Sequence, residues 1–364
     1  MLQIQDKISY KELLQNLGID AEISDNNRIL RYSSVENELN SLSDGVGLRN
    51  ISHYGMIELR GGDVLDFLHR ISTNSVRELG KEHIIKTIFT TEKGRIIDLT
   101  TLLNFEDYQV LFTSPEHHPK VMRWLDKYII SDDVKLSDIN GKYTLLELSG
   151  PQADSFVTLV CGTVVNNIPE NSFKVISAEG MLFFLAKMRD EKNHLKYWII
   201  ADQVNGNRFI KFALENKGIF DFNLVGETAY DIYRVEQGLL AAPNEINDDY
   251  NPNEAGLLEY IDFKKGCYIG QEVIARMDTY DKVQRAIKGV VFNDQAGQKE
   301  YNLFNGDGND SGKVTSVVYS FKCKKNIGLG YIRKNHLQDG TKLRAKDTEG
   351  NEIDVLVHKI PFKR

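Results

Sequence analysis

Two runs, Ile84 to Phe89 and Ile96 to Leu103, carry the alternation of strands that bury one face. Glu92-Lys93-Gly94 supplies a turn between them, so the pattern predicts a hairpin. Met56 to Arg60 reads as a strand leading into Gly61-Gly62-Asp63. Asp63 is placed to cap a helix that sets Val64, Phe67, Leu68 and Ile71 on one face. Ser114-Pro115-Glu116 reads as a helix start, a hydroxyl cap followed by proline in the first turn. Val121, Trp124, Leu125, Tyr128 and Ile129 would form that helix's buried stripe. Strands are predicted over Tyr143 to Leu148, Met181 to Met188 and Trp198 to Ala201. Helices are predicted after Gly150-Pro151, over Asn207 to Glu215 before Gly218, and over Thr228 to Gln237 before Gly238. The first fifty residues are polar and end in a turn-rich segment, Ser41 to Gly47. Elements in this irregular order imply an α+β region rather than a regular parallel sheet.

From Ala286 onward the apolar runs become short: Gly289 to Phe292, Val314 to Val318, Ile327 to Ile332, Leu343 to Ala345 and Val355 to His358. Turns rich in glycine and asparagine, such as Asn305-Gly306-Asp307-Gly308, separate them, which predicts a small antiparallel barrel or sandwich. The expected organisation is an α+β region over 1–245 made of two intertwined subdomains. A connecting segment over 246–282 and a terminal β-barrel over 283–364 follow it.

With 364 residues, 41% hydrophobic and 27% charged, the chain is long enough for two or three domains of ordinary globular composition. A net charge of −7 argues against a general electrostatic nucleic-acid binder. Lys359, Lys363 and Arg364 form only a weak basic cluster. The start of the chain lacks the apolar core of a signal peptide, and no run of about 18 apolar residues is present, so a cytoplasmic protein without membrane spans is expected. Nothing in the sequence demands an oligomer, and a monomer is expected. Cys161, Cys267 and Cys323 stand far apart with no C-x-x-C pair, which indicates neither a zinc ribbon nor a disulfide framework.

The densest chemistry lies in Lys264-Lys265-Gly266-Cys267-Tyr268-Ile269-Gly270-Gln271-Glu272, just ahead of a short helix predicted over Ile269 to Met277. Ammonium groups and helix N-termini favour a thiolate, and glycines permit tight turns and close approach. Cys267 therefore reads as a functional thiol at a cleft edge, with Lys264 and Lys265 stabilising it or an anionic ligand and Glu272 opposing them. The alternative is a half-buried turn cysteine.

The run Lys265-Gly266-Cys267-Tyr268-Ile269-Gly270-Gln271-Glu272 resembles the signature of the YgfZ-type folate-binding proteins, relatives of the glycine-cleavage T-protein (aminomethyltransferase). Other segments resemble that family in the same order: Ser52 to Gly55, Asp66 to Asn74, Thr91 to Asp98, Arg234 to Gly238, Asn251 to Leu257, Gly312 to Ser316 and Asn326 to Tyr331. The resemblance implies a T-protein-like fold that binds tetrahydrofolate, or a one-carbon derivative, in a central cleft. It further implies transient contact with iron–sulfur client or assembly proteins. Two departures stand out. The paired aspartates of the T-protein hairpin are reduced to Asp98 followed by Leu99, and Lys187 to Lys192 lacks the glycines and the assignable glutamate of the pterin segment.

Each candidate carries two readings. Arg234 can grip a folate glutamate tail and Glu236 can face the donor edge of a pterin, or both can form interdomain salt bridges. Asp98 can orient a folate nitrogen or act as an acid or base, or it can be a solvated strand-end carboxylate. Tyr268 can stack on a pterin or pack on the adjacent helix. His53 can contact substrate or be structural. Cys267 would act separately, attacking a disulfide or persulfide, carrying sulfur or iron, or responding to oxidation. The leading expectation is a folate-binding accessory protein of iron–sulfur protein assembly or repair. A folate-dependent aminomethyltransferase and a non-catalytic interaction module stand beside it.

Overall fold

The computed structural model describes residues 8–189, 194–279, 283–297 and 300–362. The predicted hairpin forms from Ile84–Thr90 and Ile96–Asn104 and continues into a five-stranded antiparallel sheet. In spatial order its remaining strands are Gln109–Pro115, Tyr54–Arg60 and Lys135–Asp138. A six-stranded sheet runs Ser172–Ala178, Met181–Arg189, Leu195–Ala201, Thr144–Ser149, Val46–Asn50 and Phe222–Leu224. The chain enters the second sheet at Val46–Asn50, crosses to the first at Tyr54–Arg60, and returns at Thr144–Ser149, so the two units interleave.

The alternation of side chains in each strand gives both sheets two apolar faces. Ile51, Met56, Leu103 and Phe112 meet Leu145, Phe173, Met188 and Trp198 where the sheets face each other. The outer face of the five-stranded sheet is covered by Val64, Phe67, Leu68 and Ile71 of helix Val64–Ile71 and by Val121 and Leu125 of helix His118–Tyr128. The outer face of the other is covered by Phe156, Val157 and Val160 of helix Ala153–Cys161 and by Phe209 and Ile210 of helix Gln203–Glu215. Each large apolar side chain removed from water in this way contributes about 2 kcal/mol before entropy is counted.

The chain ends in a closed six-stranded antiparallel barrel. Around it run Arg285–Phe292, Lys325–Arg333, Asp310–Ser320, Tyr301–Phe304, Lys342–Lys346 and Glu352–His358. Its core holds Val290, Phe292, Leu303, Val314, Ile332 and Val355. Helix Glu227–Gln237 binds the parts together. Ala229, Ile232 and Tyr233 pack on Leu39 and Leu42 of helix Val35–Ser43, while Val235 packs on Ile327, Leu329 and Phe362 of the barrel region.

Three local expectations are corrected. Ser114 and Pro115 end a strand and do not begin a helix, because Leu111 and Phe112 pair with Ile57 and Met56 and the ladder extends to Pro115. Glu116 at φ 63° then turns the chain, and His117 takes the cap position. Asp63 sits at a helix start, but its carboxylate accepts the Asp133 N–H at 2.8 Å and leaves the helix uncapped by a side chain. Ser41 to Gly47 is not a turn region: it holds the end of helix Val35–Ser43 and the start of strand Val46–Asn50.

Candidate functional site

Between helix Glu227–Gln237, the start of the five-stranded sheet and the barrel lies a cleft of about 670 Å³. Arg28, Arg49, His53, Tyr54, Glu227, Tyr230 and Arg234 lie on its walls, and Ser316, Tyr319 and Phe321 bring the barrel to it. Its polar wall is built by strand register. Arg49 and Glu147 are partners across adjacent strands, and Glu147 is in turn the partner of Trp198. Side chains of paired residues share a face, so the three converge. Arg49 Nη1 donates to Glu147 at 3.1 Å, while Lys196 Nζ and Trp198 Nε1 donate to the other Glu147 oxygen at 3.2 and 3.0 Å. Burial alone would raise the Glu147 pKa, but Lys196 and Arg49 win and hold it down to about 2.

Arg49 is 2% exposed, its guanidinium lies 3.1 Å from the centre of the Tyr230 ring, and its Nε–H has no hydrogen-bond partner among the described residues. Its Nη2 reaches Glu227 Oε1 at 3.5 Å. Burial, with Arg49 nearby, depresses His53 to about 4 against the pull of Glu227, so its ring is neutral at pH 7. The cleft thus presents a fixed guanidinium, a partly exposed carboxylate, a neutral imidazole and aromatic surface.

The residues singled out from sequence occupy quite different places. Arg234 is on the cleft wall, yet every guanidinium nitrogen is engaged. Nε donates to Asp231 at 2.6 Å, Nη1 to Glu245 at 3.1 Å and Nη2 to Ser316 at 2.8 Å. With three of its five N–H donors committed and only 4% of the residue exposed, the group serves as a tie between helix and barrel. Glu236 is 2% exposed and accepts the Ser320 hydroxyl at 2.5 Å, so it too faces the barrel and not a pterin. Both side chains reach strand Asp310–Ser320.

Asp98 is not solvated. It is 0% exposed, accepts the Ser114 N–H at 2.8 Å and lies 3.4 Å from the His117 ring. Its register partner Phe89 belongs to the helix-covered core, whereas Leu99 and its partner Ile88 pack toward Ile246 and Tyr250 of the connecting segment.

Around the cysteine, Lys265 does not serve the thiol. Its Nζ donates to the carbonyls of His69, Ser72 and Asn74 at 2.5, 2.6 and 2.8 Å and closes the end of helix Val64–Ile71. Burial lowers its pKa to about 8. Tyr268 packs on Ile261 and Ile274, its hydroxyl is buried without a partner, and burial pushes its pKa up to about 12. It is a packing residue of this loop and not a stacking platform. Thr73 Oγ1 donates to Tyr260 O at 2.7 Å and Thr90 Oγ1 to Ile269 O at 2.6 Å, fixing the loop at both ends. Gly270, at φ 83°, is required because a Cβ would meet Thr91 O at 2.7 Å; around Gly266 there is open space. Cys267 itself is exposed. The helix begins at Gln271 and not at Ile269, which leaves the thiol outside its first turn. Cys161 is buried in the six-stranded-sheet core and Cys323 packs beside the barrel, so the three cysteines stand apart. Among the described residues no group of three His, Cys, Asp or Glu side chains is placed to hold a metal ion, and no helix is long and apolar enough to cross a membrane.

Of the pterin segment Lys187 to Lys192, residues 190–192 lie outside the described residues, as do Lys363 and Arg364 of the basic cluster. The residues that build the polar wall (Arg49, Glu147, Glu227 and Tyr230) were not found from sequence. The available signal was one charge inside each of two apolar runs, Val46 to Leu48 and Leu145 to Leu148.

This arrangement of interleaved sheets, cleft and closing barrel defines a two-part binding protein. Its first part, residues 21–265, matches the GCVT N-terminal domain, and residues 285–363 match the glycine cleavage T-protein C-terminal barrel domain. The chain belongs to the glycine cleavage T-protein family. It is 27% identical over 346 residues to At1g60990, a chloroplastic protein of Arabidopsis thaliana to which a transferase activity is ascribed, covering 94% of this chain and 77% of that one. It is 23% identical to an aminomethyltransferase of Caldanaerobacter subterraneus, covering 92% and 87% of the two chains. The crystal structure of the glycine cleavage system aminomethyltransferase T from Bartonella henselae superposes with a TM-score of 0.81 at 20% identity, covering 97% of this chain and 96% of that one.

Proposed function

We propose that this chain is a reduced-folate-binding protein whose chemistry has moved from the hairpin acid to the exposed thiol of Cys267. In the YgfZ-type manner it would serve iron–sulfur protein assembly or repair. The observation that carries this reading is the burial of the hairpin acid. Leu99 packs toward Ile246 and Tyr250, while Asp98 is turned to the helix side and held by the Ser114 N–H. A carboxyl group with no exposure cannot exchange a proton with a ligand in the cleft. The cleft retains what a folate requires: a volume of about 670 Å³, aromatic walls, a carboxylate for ring donors and a buried guanidinium with an unanswered N–H. Tetrahydrofolate, when bound, supplies a one-carbon carrier; Arg49, His53 and Glu227 would orient it and the barrel would shield it.

Anaerobic calorimetry with tetrahydrofolate tests the binding half. Saturable binding is expected for wild type and, unchanged, for Cys267→Ala; no saturable binding in wild type refutes the reading. The thiol half predicts that cells carrying only Cys267→Ala lose iron–sulfur enzyme activity while folate binding by the variant persists. Full activity in those cells removes Cys267 from the function.

Aminomethyl transfer is the second reading, favoured by the extent of likeness to aminomethyltransferases, which reaches 94% of this chain. It predicts methylenetetrahydrofolate formation from an aminomethyl donor. Its absence in a protein that binds folate leaves the accessory role.

A further inference from the structure

We infer that Glu227, held by Arg49, is the carboxylate that receives the two adjacent N–H donors of the pteridine ring, N3–H and the 2-amino group. This rests on the folate reading above and adds the orientation of the ring in the cleft. Glu227 is the first residue of helix Glu227–Gln237 and stands on the cleft wall with its side chain 29% exposed. Its contacts place the group without consuming it. Oε1 is 3.5 Å from Arg49 Nη2 and 3.9 Å from His53 Nε2, and Oε2 accepts no hydrogen bond among the described residues.

Of the neighbouring carboxylates among the described residues, Glu147 and Glu245 are engaged at both oxygens and Asp231 at one. Glu147 accepts from Arg49, Lys196 and Trp198. Glu245 accepts from Arg234, Thr315 and Ser316. Asp231 is paired with Arg234 at 2.6 Å. A carboxylate is the one side chain that answers two parallel N–H donors with two acceptors. The ring's 4-oxo group, beside N3–H, is an acceptor and needs a donor next to that carboxylate. Arg49 provides it, and its Nε–H, 2% exposed as a residue and without a partner, marks a polar demand that protein atoms do not meet. His53, neutral at pH 7, adds no competing cation to this corner.

The test is anaerobic calorimetry of wild type, Glu227→Gln and Glu227→Asp against four probes: tetrahydrofolate, 6-methyltetrahydropterin, the same pterin without its 2-amino group, and p-aminobenzoylglutamate. Glu227→Gln replaces one acceptor by a donor. It should weaken tetrahydrofolate and 6-methyltetrahydropterin by about 10- to 100-fold, leave p-aminobenzoylglutamate unchanged, and cost the desamino pterin much less. Glu227→Asp should fall between. Equal losses for all four probes, or pterin affinity within twofold of wild type, overturn the assignment while leaving folate binding intact. Wild type that binds no reduced folate overturns the folate reading itself, and this inference with it. Unchanged thermal midpoints of the variants, measured alongside, separate loss of contact from loss of fold.

Discussion

On the cysteine loop, the one buried ammonium is fully committed: Lys265 is surrounded by three backbone carbonyls, and the thiol beside it in sequence stands alone in solvent. On the cleft wall the reverse holds. Arg49 is 2% exposed, yet its Nε–H is unanswered among the described residues and its contact to Glu227 is loose. The first region uses charge to fix backbone. The second uses backbone, the paired strands, to fix charge. Proximity in sequence to a cysteine is therefore poor evidence of electrostatic influence on it, and an incompletely satisfied buried group is better evidence of a binding surface.

The strongest way to break this contrast is to disturb the cleft's frame. Arg234→Ala leaves the fully buried Glu245 without its cation and should destabilise the protein by about 3–5 kcal/mol, read from urea unfolding. If folate affinity fell while unfolding free energy stayed unchanged, Arg234 would be a ligand contact after all. Acid sharpens the contrast next. Glu147 titrates near 2 when folded, well below an unfolded glutamate, so its stabilisation is complete above about 4.5 and is lost as the pH falls toward 2. That loss should amount to about 3 kcal/mol in wild type and vanish from the pH profile of Glu147→Gln. A profile identical in both proteins would contradict the pairing. The smallest effects belong to the loop. Lys265→Met should cost about 1–3 kcal/mol by leaving carbonyls unpaired, whereas Cys267→Ser should change stability by less than about 0.5 kcal/mol. Comparable losses in both would mean that the thiol is structural.

Much of the architecture was legible where pattern and local chemistry agree. Helix Glu227–Gln237 with its glycine stop, the hairpin of Ile84–Thr90 and Ile96–Asn104, and five of the six barrel strands follow from periodicity and turn residues. The strand Gln109–Pro115 was hidden because Ser114-Pro115 imitates a helix start, and only its pairing with Tyr54–Arg60 decides otherwise. Strand Tyr301–Phe304 is too short to carry an alternation. At the site, the motif revealed a cysteine but not the polar wall. Arg49 and Glu147 lie 98 positions apart and meet only through register. Asp98 was legible as a candidate, but the face it occupies is set by a register shift between Phe89 and Thr90 that no local pattern announces.

Helix Glu227–Gln237 is fastened by residues that follow much later in the chain: Ser316 takes Arg234, Ser320 takes Glu236, and Phe362 donates its N–H to the Glu236 carbonyl at 2.8 Å. During synthesis the residues of the polar wall therefore all precede those that fasten their helix. Until those residues emerge, the helix lacks its fastenings and the cleft its barrel side, so the final stretch of translation is also the step that turns a surface into a compartment.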